Sequence, residues 1–353
     1  RGLGGDSRGL SRGLGEDMKL ASIQRWSERH PVALGLSISG VLLLGLVVQE
    51  VLLDRFTQML AQPNVGMLFR IAAVHCLQAG YFPAAYYALL GGTRKNVHGL
   101  EEILDPTDET WSLGSAVQVR KRTLLISCTI ALLGAVASPY FTSDTPPWDP
   151  SMWPPELWWH RLLGLITGLW TGCLFAAVWD TAALASRLAD RVDPVDLLDL
   201  SVWSPFVKQG LLTALLVIGG FTVQAIRLYE PQERIVLAGV LGVSLPLALL
   251  GLWLPVRGAH RRIRQAKEAE LARISERIRQ ARAVLLDGSP DTLPAAPPDR
   301  MPGLIAYRQL IDDVPEWPFQ TSTFVQVALY LLIPVGSLIV RELAEGVVSR
   351  LFG

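Results

Sequence analysis

Charge is scarce in this chain. Lys, Arg, Asp and Glu together make up 18% of the residues, hydrophobic side chains make up 50%, and the mean hydropathy is +0.33. A soluble domain carries about 25% charged residues, so the balance points to a membrane protein. The 32 basic and 32 acidic side chains cancel, which removes any global argument for nucleic acid or an acidic partner. Cysteine is scarce too. Cys76, Cys128 and Cys173 each sit inside an apolar stretch with no C-x-x-C pairing, which excludes zinc sites and disulfide frameworks of the recognised spacings. They are expected to be small buried apolar residues. The five histidines (30, 75, 98, 160 and 260) have no metal-ligand spacing. H-E-x-x-H, G-x-S-x-G and phosphate-loop patterns are missing, as is a paired-carboxylate motif within a span. No catalytic residue, cofactor or metal is expected, and the chain is read as a non-enzyme.

What is present is a series of apolar runs at 32–53, 67–90, 123–141, 157–179, 206–226, 235–254 and 323–340. Runs of roughly 20 residues cross a hydrocarbon core of about 30 Å as helices. The first is too long for the apolar part of a signal peptide and should be retained. The second is the weakest, carrying Arg70, His75, Gln78 and Pro83. Between the third and fourth, residues 142–156 hold five prolines, Trp148 and Trp153, and neither Lys nor Arg. An aromatic, cation-free loop of this kind is an interfacial cap. Residues 184–204 set leucines among aspartates and arginines, which predicts an amphipathic helix lying along the membrane surface, with Asp193 as cap and Pro194 as first residue of its second half.

The cations fix the orientation. The 92–122 loop holds Arg94, Lys95, Arg120, Lys121 and Arg122, and the 180–208 loop holds Arg187, Arg191 and Lys208. The intervening loops hold none, or Arg227 and Arg234 alone. The alternation follows the positive-inside rule. It predicts a cytoplasmic N-terminus, seven spans and an extracytoplasmic C-terminus.

The longest polar stretch is 255–322. It opens with the basic run Arg257–Lys267, continues in helical pattern to about Leu286, breaks at Pro290, Pro294, Pro297 and Pro298, and returns through 307–317. Leu271, Ile274, Ile278, Ala281 and Leu285 step by three and four into an apolar seam. Either a returning 302–313 helix, carrying Leu304, Tyr307, Leu310 and Ile311, or another subunit must cover it. The helix is expected to run on from the sixth span, interrupted only by Pro255 and Gly258. Partners expected are therefore the lipid bilayer and a second copy or a cytoplasmic protein.

Two further patterns lie inside the spans. Gly164, Gly168 and Gly172 are four apart, a spacing that lets helix backbones approach closely. An internal helix contact is preferred over a dimer seam. His75, Gln78, His160 and Gln224 are the candidate lining of a polar path through spans two, four and five, because ionisable and polar residues in a span are expensive. His160 also neighbours Arg161 and several tryptophans, an interfacial setting. Carboxylates at mid-membrane, which an ion-coupled carrier usually needs, are not evident.

Residues 1–17 are Gly/Arg-rich and nearly repeat Arg-Gly-Leu, and Met18-Lys19 resembles an ordinary start. They are expected to be mobile upstream sequence. The organisation is then a basic N-terminal segment (1–31), a six-span bundle (32–254), a cytoplasmic helical hairpin with a Pro-rich linker (255–322), and a last span with a short tail (323–353).

Three phrases carry a likeness. DLLDLSVWSPFVKQGLL at 196–212, HRRIRQAKEAEL at 260–271 and EWPFQTSTFVQVALYLLIPVGS at 316–337 resemble a group of uncharacterised multi-pass bacterial inner-membrane proteins, over about the C-terminal half. The resemblance implies a bacterial inner membrane and no particular activity. The fold expected is an all-α polytopic membrane bundle of about seven transmembrane helices, with a cytoplasmic hairpin between helices six and seven. The function expected is interaction or signal relay through that hairpin, with a channel or transporter as the alternative.

Overall fold

The computed structural model describes residues 22–55, 63–100, 117–142, 151, 153, 155–192, 195–225, 233–287, 301–319, 325–326, 328–330 and 332. Among them the regular elements are helices: α1 (Pro31–Leu52), α2 (Pro63–His98), α3 (Lys121–Thr142), α4 (Pro155–Ala189), α5 (Ser204–Ala225), α6 (Glu233–Asp287) and α7 (Met301–Asp312). A 3-10 turn, Leu200–Trp203, leads into α5.

Local chemistry sets several helix ends. Pro31 opens α1, where its missing N–H costs nothing. At the other end Asp54 takes a left-handed conformation (φ 54°), and the Arg55 N–H donates to the Glu50 carbonyl at 3.0 Å. That is a Schellman stop with aspartate where glycine is usual. Asp199 caps the 3-10 turn by accepting from the Ser201 N–H at 2.9 Å.

Small residues set the helix contacts. A Cβ on Gly80 would lie 2.2 Å from Ser39 Oγ, and one on Gly35 would lie 2.9 Å from Ala84 Cβ, so α1 and α2 cross there. Gly219 lies against Tyr81, whose hydroxyl donates to the Leu216 carbonyl at 2.6 Å, tying α2 to α5. Gly210 lies against the Leu252 backbone and Gly251 against Thr213, joining α5 to α6. Close approach at small residues is how helices associate where lipid removes the hydrophobic drive.

Three helical stretches of the described chain are long and apolar enough to cross a membrane: Pro31–Leu52, Leu157–Ala189 and Leu200–Val223. This is a membrane-type helical protein by length and composition. Their flanks match that reading, since Leu36, Val41, Leu44, Leu162, Leu165 and Leu169 are exposed, and an apolar surface of that extent needs a partner or a bilayer. Of the other expected spans, 67–90 lies within the 36-residue α2, 123–141 within α3, and 235–254 forms the first part of α6. Residues 323–340 lie mostly outside the described residues.

The largest core cluster sits toward one end of the bundle. It joins Leu89 and Leu100 of the α2 end, Leu184 and Leu188 of α4, Trp203 and Phe206 at the start of α5, Ile263 and Ile274 of α6, and Ile311 of α7. This location corrects one expectation. Residues 184–189 are not a surface helix but the last turns of α4, and 195–199 are not helical. Leu184, Leu188 and Leu197 are buried in the core. The aspartates expected to line a polar helix face instead make local turns, with Asp196 Oδ1 accepting from the Leu198 N–H at 2.8 Å. Asp193 and Pro194 lie outside the described residues.

Candidate functional site

The glycine stripe of α4 meets two neighbours. A Cβ on Gly172 would lie 2.5 Å from the Cys128 Cα, and one on Gly168 would lie 2.8 Å from Ala135 Cβ, so both positions pack on α3. Beside them the Cys128 and Cys173 sulfurs come within 3.7 Å. At Gly164 the nearest atom is 3.9 Å away and belongs to the His75 ring of α2. The missing side chain there makes room for an imidazole.

His75 is buried, and its Nδ1–H donates to the Ile71 carbonyl one turn back at 2.8 Å. His160 of α4 meets that ring edge-on, with centroids 4.5 Å apart, planes at 88° and the two Nδ1 atoms 3.5 Å apart. If the His75 Nδ1 proton is committed to the carbonyl, the facing His160 Nδ1 must present a lone pair, which leaves the His160 proton on Nε2. Gln78 is buried one turn along α2. The side chain of Gln224, the fourth member of the expected polar path, lies outside the described residues.

Around this pair the same end of the bundle is polar and aromatic. Trp159 Nε1 donates to Gln49 Oε1 at 2.6 Å, Glu50 is fully buried (0% exposed), and Arg161 lies over the Trp153 ring at 5.3 Å. The arrangement orients two imidazoles edge to face. Among the described residues no group of three His, Cys, Asp or Glu is placed to hold a metal ion.

The opposite end carries a second polar network, which sequence reasoning passed over. Gln209 Nε2 donates to Thr93 Oγ1 at 2.9 Å, Asn96 Nδ2 donates to Gln209 Oε1 at 3.0 Å, and the Thr93 hydroxyl donates to the Leu89 carbonyl at 2.7 Å. Arg94 is paired with Glu28. Asp180 of α4 accepts from the Arg120 N–H at 2.7 Å and from the Thr123 hydroxyl at 3.2 Å, which caps the start of α3 from a neighbouring helix. The available signal was Gln209 between Lys208 and Gly210, a polar residue one step from a glycine inside an apolar run.

From this end α6 continues without a break. It is one helix of 55 residues, with Pro246 and Pro255 inside it, about 80 Å at 1.5 Å per residue. Gly258, expected as an interruption, is where α6 crosses α4: a Cβ there would lie 2.6 Å from the Ser186 carbonyl oxygen and 2.9 Å from Ala189 Cβ. Arg262 then donates to the Val192 carbonyl at 2.8 Å.

Farther out, α7 lies against the rod. Lys267 Nζ donates to the carbonyls of Asp312 (2.6 Å) and Val314 (2.9 Å), satisfying acceptors at the end of α7. The His260 ring stacks on Trp317 at 4.0 Å and 6°, and its Nδ1 donates to the Glu316 carbonyl at 3.0 Å. Of the expected seam, Ile274 is buried, Leu271 and Ile278 are half-buried against the same core as Ile311, and Ala281 is half-buried. The Leu285 side chain lies outside the described residues. Of the residues expected opposite the seam, Ile311 is buried and Leu304 half-buried, while Tyr307 and Leu310 are mainly exposed. The seam thus meets one edge of α7, not its whole apolar face.

No protein family, curated protein or solved structure matches this chain.

Proposed function

We propose that this protein is a non-enzymatic, multi-pass inner-membrane protein of about seven spans that acts in interaction or signal relay through a cytoplasmic helical hairpin. One observation carries the reading: the apolar first part of α6 and its polar outer half are a single helix. A displacement of that helix at Gly210 or Thr213 has no loop in which to dissipate before it reaches Ile274. The cation-rich end, with Arg94, Lys95, Arg120, Arg187 and Arg257, is the cytoplasmic one. The N-terminus then lies inside and the C-terminus outside, in a bacterial inner membrane as the resemblance implies.

The relay is tested by perturbing one end and observing the other. Gly210→Leu would drive a side chain into the Leu252 backbone and shift α6 within the membrane. Hydrogen exchange of the nanodisc-embedded protein is expected to change at 271–287 and 301–314 as well as locally. A change confined to 204–258 would end the relay reading. Ile274→Asp with Ile278→Asp identifies what covers the seam. Loosening of 301–314 with unchanged oligomer size points to the hairpin, and loss of oligomer size with the fold intact points to a subunit seam.

The alternative, a channel or transporter lined by spans two, four and five, is favoured by the meeting of His75 and His160. Ion flux into liposomes that is abolished by His75→Ala together with His160→Ala would move the reading there.

A further inference from the structure

Where α3, α4 and α6 come together at the basic end, they leave a cavity of about 250 Å³. Small-molecule sites usually exceed about 300 Å³, so the space suits a headgroup better than a whole lipid. Four guanidiniums line it: Arg120 at the start of α3, Arg187 near the end of α4, and Arg257 and Arg261 one turn apart on α6. Among the described residues no acidic side chain lines it. Trp179, two turns earlier on α4 and 59% exposed, and Leu254 complete an apolar wall on the side nearer the membrane half.

The carboxylates nearby do not neutralise the set. Asp180 lies 3.8 Å from Arg120 Nε, and Asp190 lies 3.9 Å from an Arg261 nitrogen. Arg187 donates to the carbonyl of Ala183 on its own helix, and Arg257 lies over the Trp253 ring at 5.1 Å. Among the described residues two guanidiniums thus remain in excess. Three separate helices deliver the four cations to one concave space, whereas orienting a span needs only that cations flank it. Guanidinium forks match phosphate oxygens in bidentate geometry. Basic pockets between membrane helices on the cytoplasmic side bind anionic headgroups.

We propose that this cavity holds the phosphate of an anionic phospholipid, with the headgroup among Arg120, Arg187, Arg257 and Arg261 and the acyl chains leaving past Trp179. The proposal rests on the reading that this end of the bundle meets a membrane surface. A phosphate held there bridges α4 to α6 beside the Gly258 crossing, so lipid composition would set how firmly the rod is held.

The test uses the full chain in a neutral maltoside detergent, with thermal unfolding as the readout. Phosphatidylglycerol is expected to raise the midpoint by several degrees, phosphatidylcholine to leave it unchanged, and millimolar inorganic phosphate to fall well short of phosphatidylglycerol. Arg187→Gln with Arg257→Gln is expected to remove at least half of the phosphatidylglycerol shift. Should that double variant fail to fold, Arg120→Gln replaces it, because the N–H that Asp180 caps belongs to the backbone. An undiminished shift in the folded variant, or no shift in the parent, overturns the site. An equal shift with inorganic phosphate overturns the lipid as the source of the anion. Release of the chain by carbonate washing of membranes would overturn the membrane reading itself, a failure distinct from the others.

Discussion

The sulfurs of Cys128 on α3 and Cys173 on α4 stand 3.7 Å apart, although 45 residues separate them in sequence. A disulfide needs about 2.05 Å between sulfurs, so the two would have to approach by roughly 1.7 Å to be joined. Mild copper–phenanthroline oxidation of the full chain is expected to protect both thiols from maleimide after denaturation. Reduction restores labelling, and Cys128→Ser leaves Cys173 labelled throughout. Full labelling of the oxidised parent would mean that α3 and α4 do not meet along this line.

The three glycines of the stripe are not equivalent. Gly172→Ala would set a methyl 2.5 Å from the Cys128 backbone, while Gly164→Ala would set one 3.9 Å from the His75 ring. Overpacking costs about 1–3 kcal/mol, and that loss is expected at Gly172 and in Gly168→Leu. Gly164→Ala should unfold within a degree or so of the parent. Equal melting of all three variants in detergent would put the stripe against lipid.

Gln209 and Thr93 share one hydrogen bond inside a buried network. Gln209→Leu takes away the acceptor of the Asn96 amide and the donor to Thr93 Oγ1, whose own O–H keeps the Leu89 carbonyl, a loss of about 1–3 kcal/mol. Thr93→Val should be destabilising too. The double variant should lose less than the two losses added together, because partners in one network are not independent. Additive losses in a denaturation series would show that the groups do not act as a unit.

Asp199 makes the 3-10 cap ahead of α5. The Ser201 hydroxyl, and after it the Ser201 N–H, hold its carboxyl below the ordinary value of 3.8. A folded-state value below the unfolded one gives stability that is full above the unfolded value and lost as pH falls through the folded one. Asp199→Ala should therefore melt below the parent at neutral pH, and the gap should narrow once the pH drops under 3.8. A gap of constant size down to acid unfolding would mean that the cap does not depend on the carboxylate.

The parts legible in the sequence were those that depend on length and period. The apolar runs locate helices, the four-residue glycine spacing locates a close approach, and the lack of breakers between Gly258 and Gly288 implies a long rod. What escaped depends on which partner a face meets. Leucines alternating with aspartates at 184–200 look alike whether the apolar side lies on lipid or in a core. Gln209 drew no reading because its partners Thr93 and Asn96 sit on another helix. Each cysteine taken singly carried no spacing, and only the α3–α4 contact pairs two of them.

The two prolines inside α6 have a geometric consequence. Pro246 and Pro255 are separated by two and a half helical turns, so they lie on opposite sides of the rod. Each lacks the N–H that would bond the carbonyl four residues earlier, Gly242 and Gly251, and a proline inside a helix favours a bend of the axis away from itself. Bends at these two positions would oppose each other, and opposed bends shift the outer half of a rod sideways while leaving it roughly parallel to the first half. In a rod offset in that way, turning the first half about its own axis would sweep the outer half through an arc, where a straight rod only spins in place.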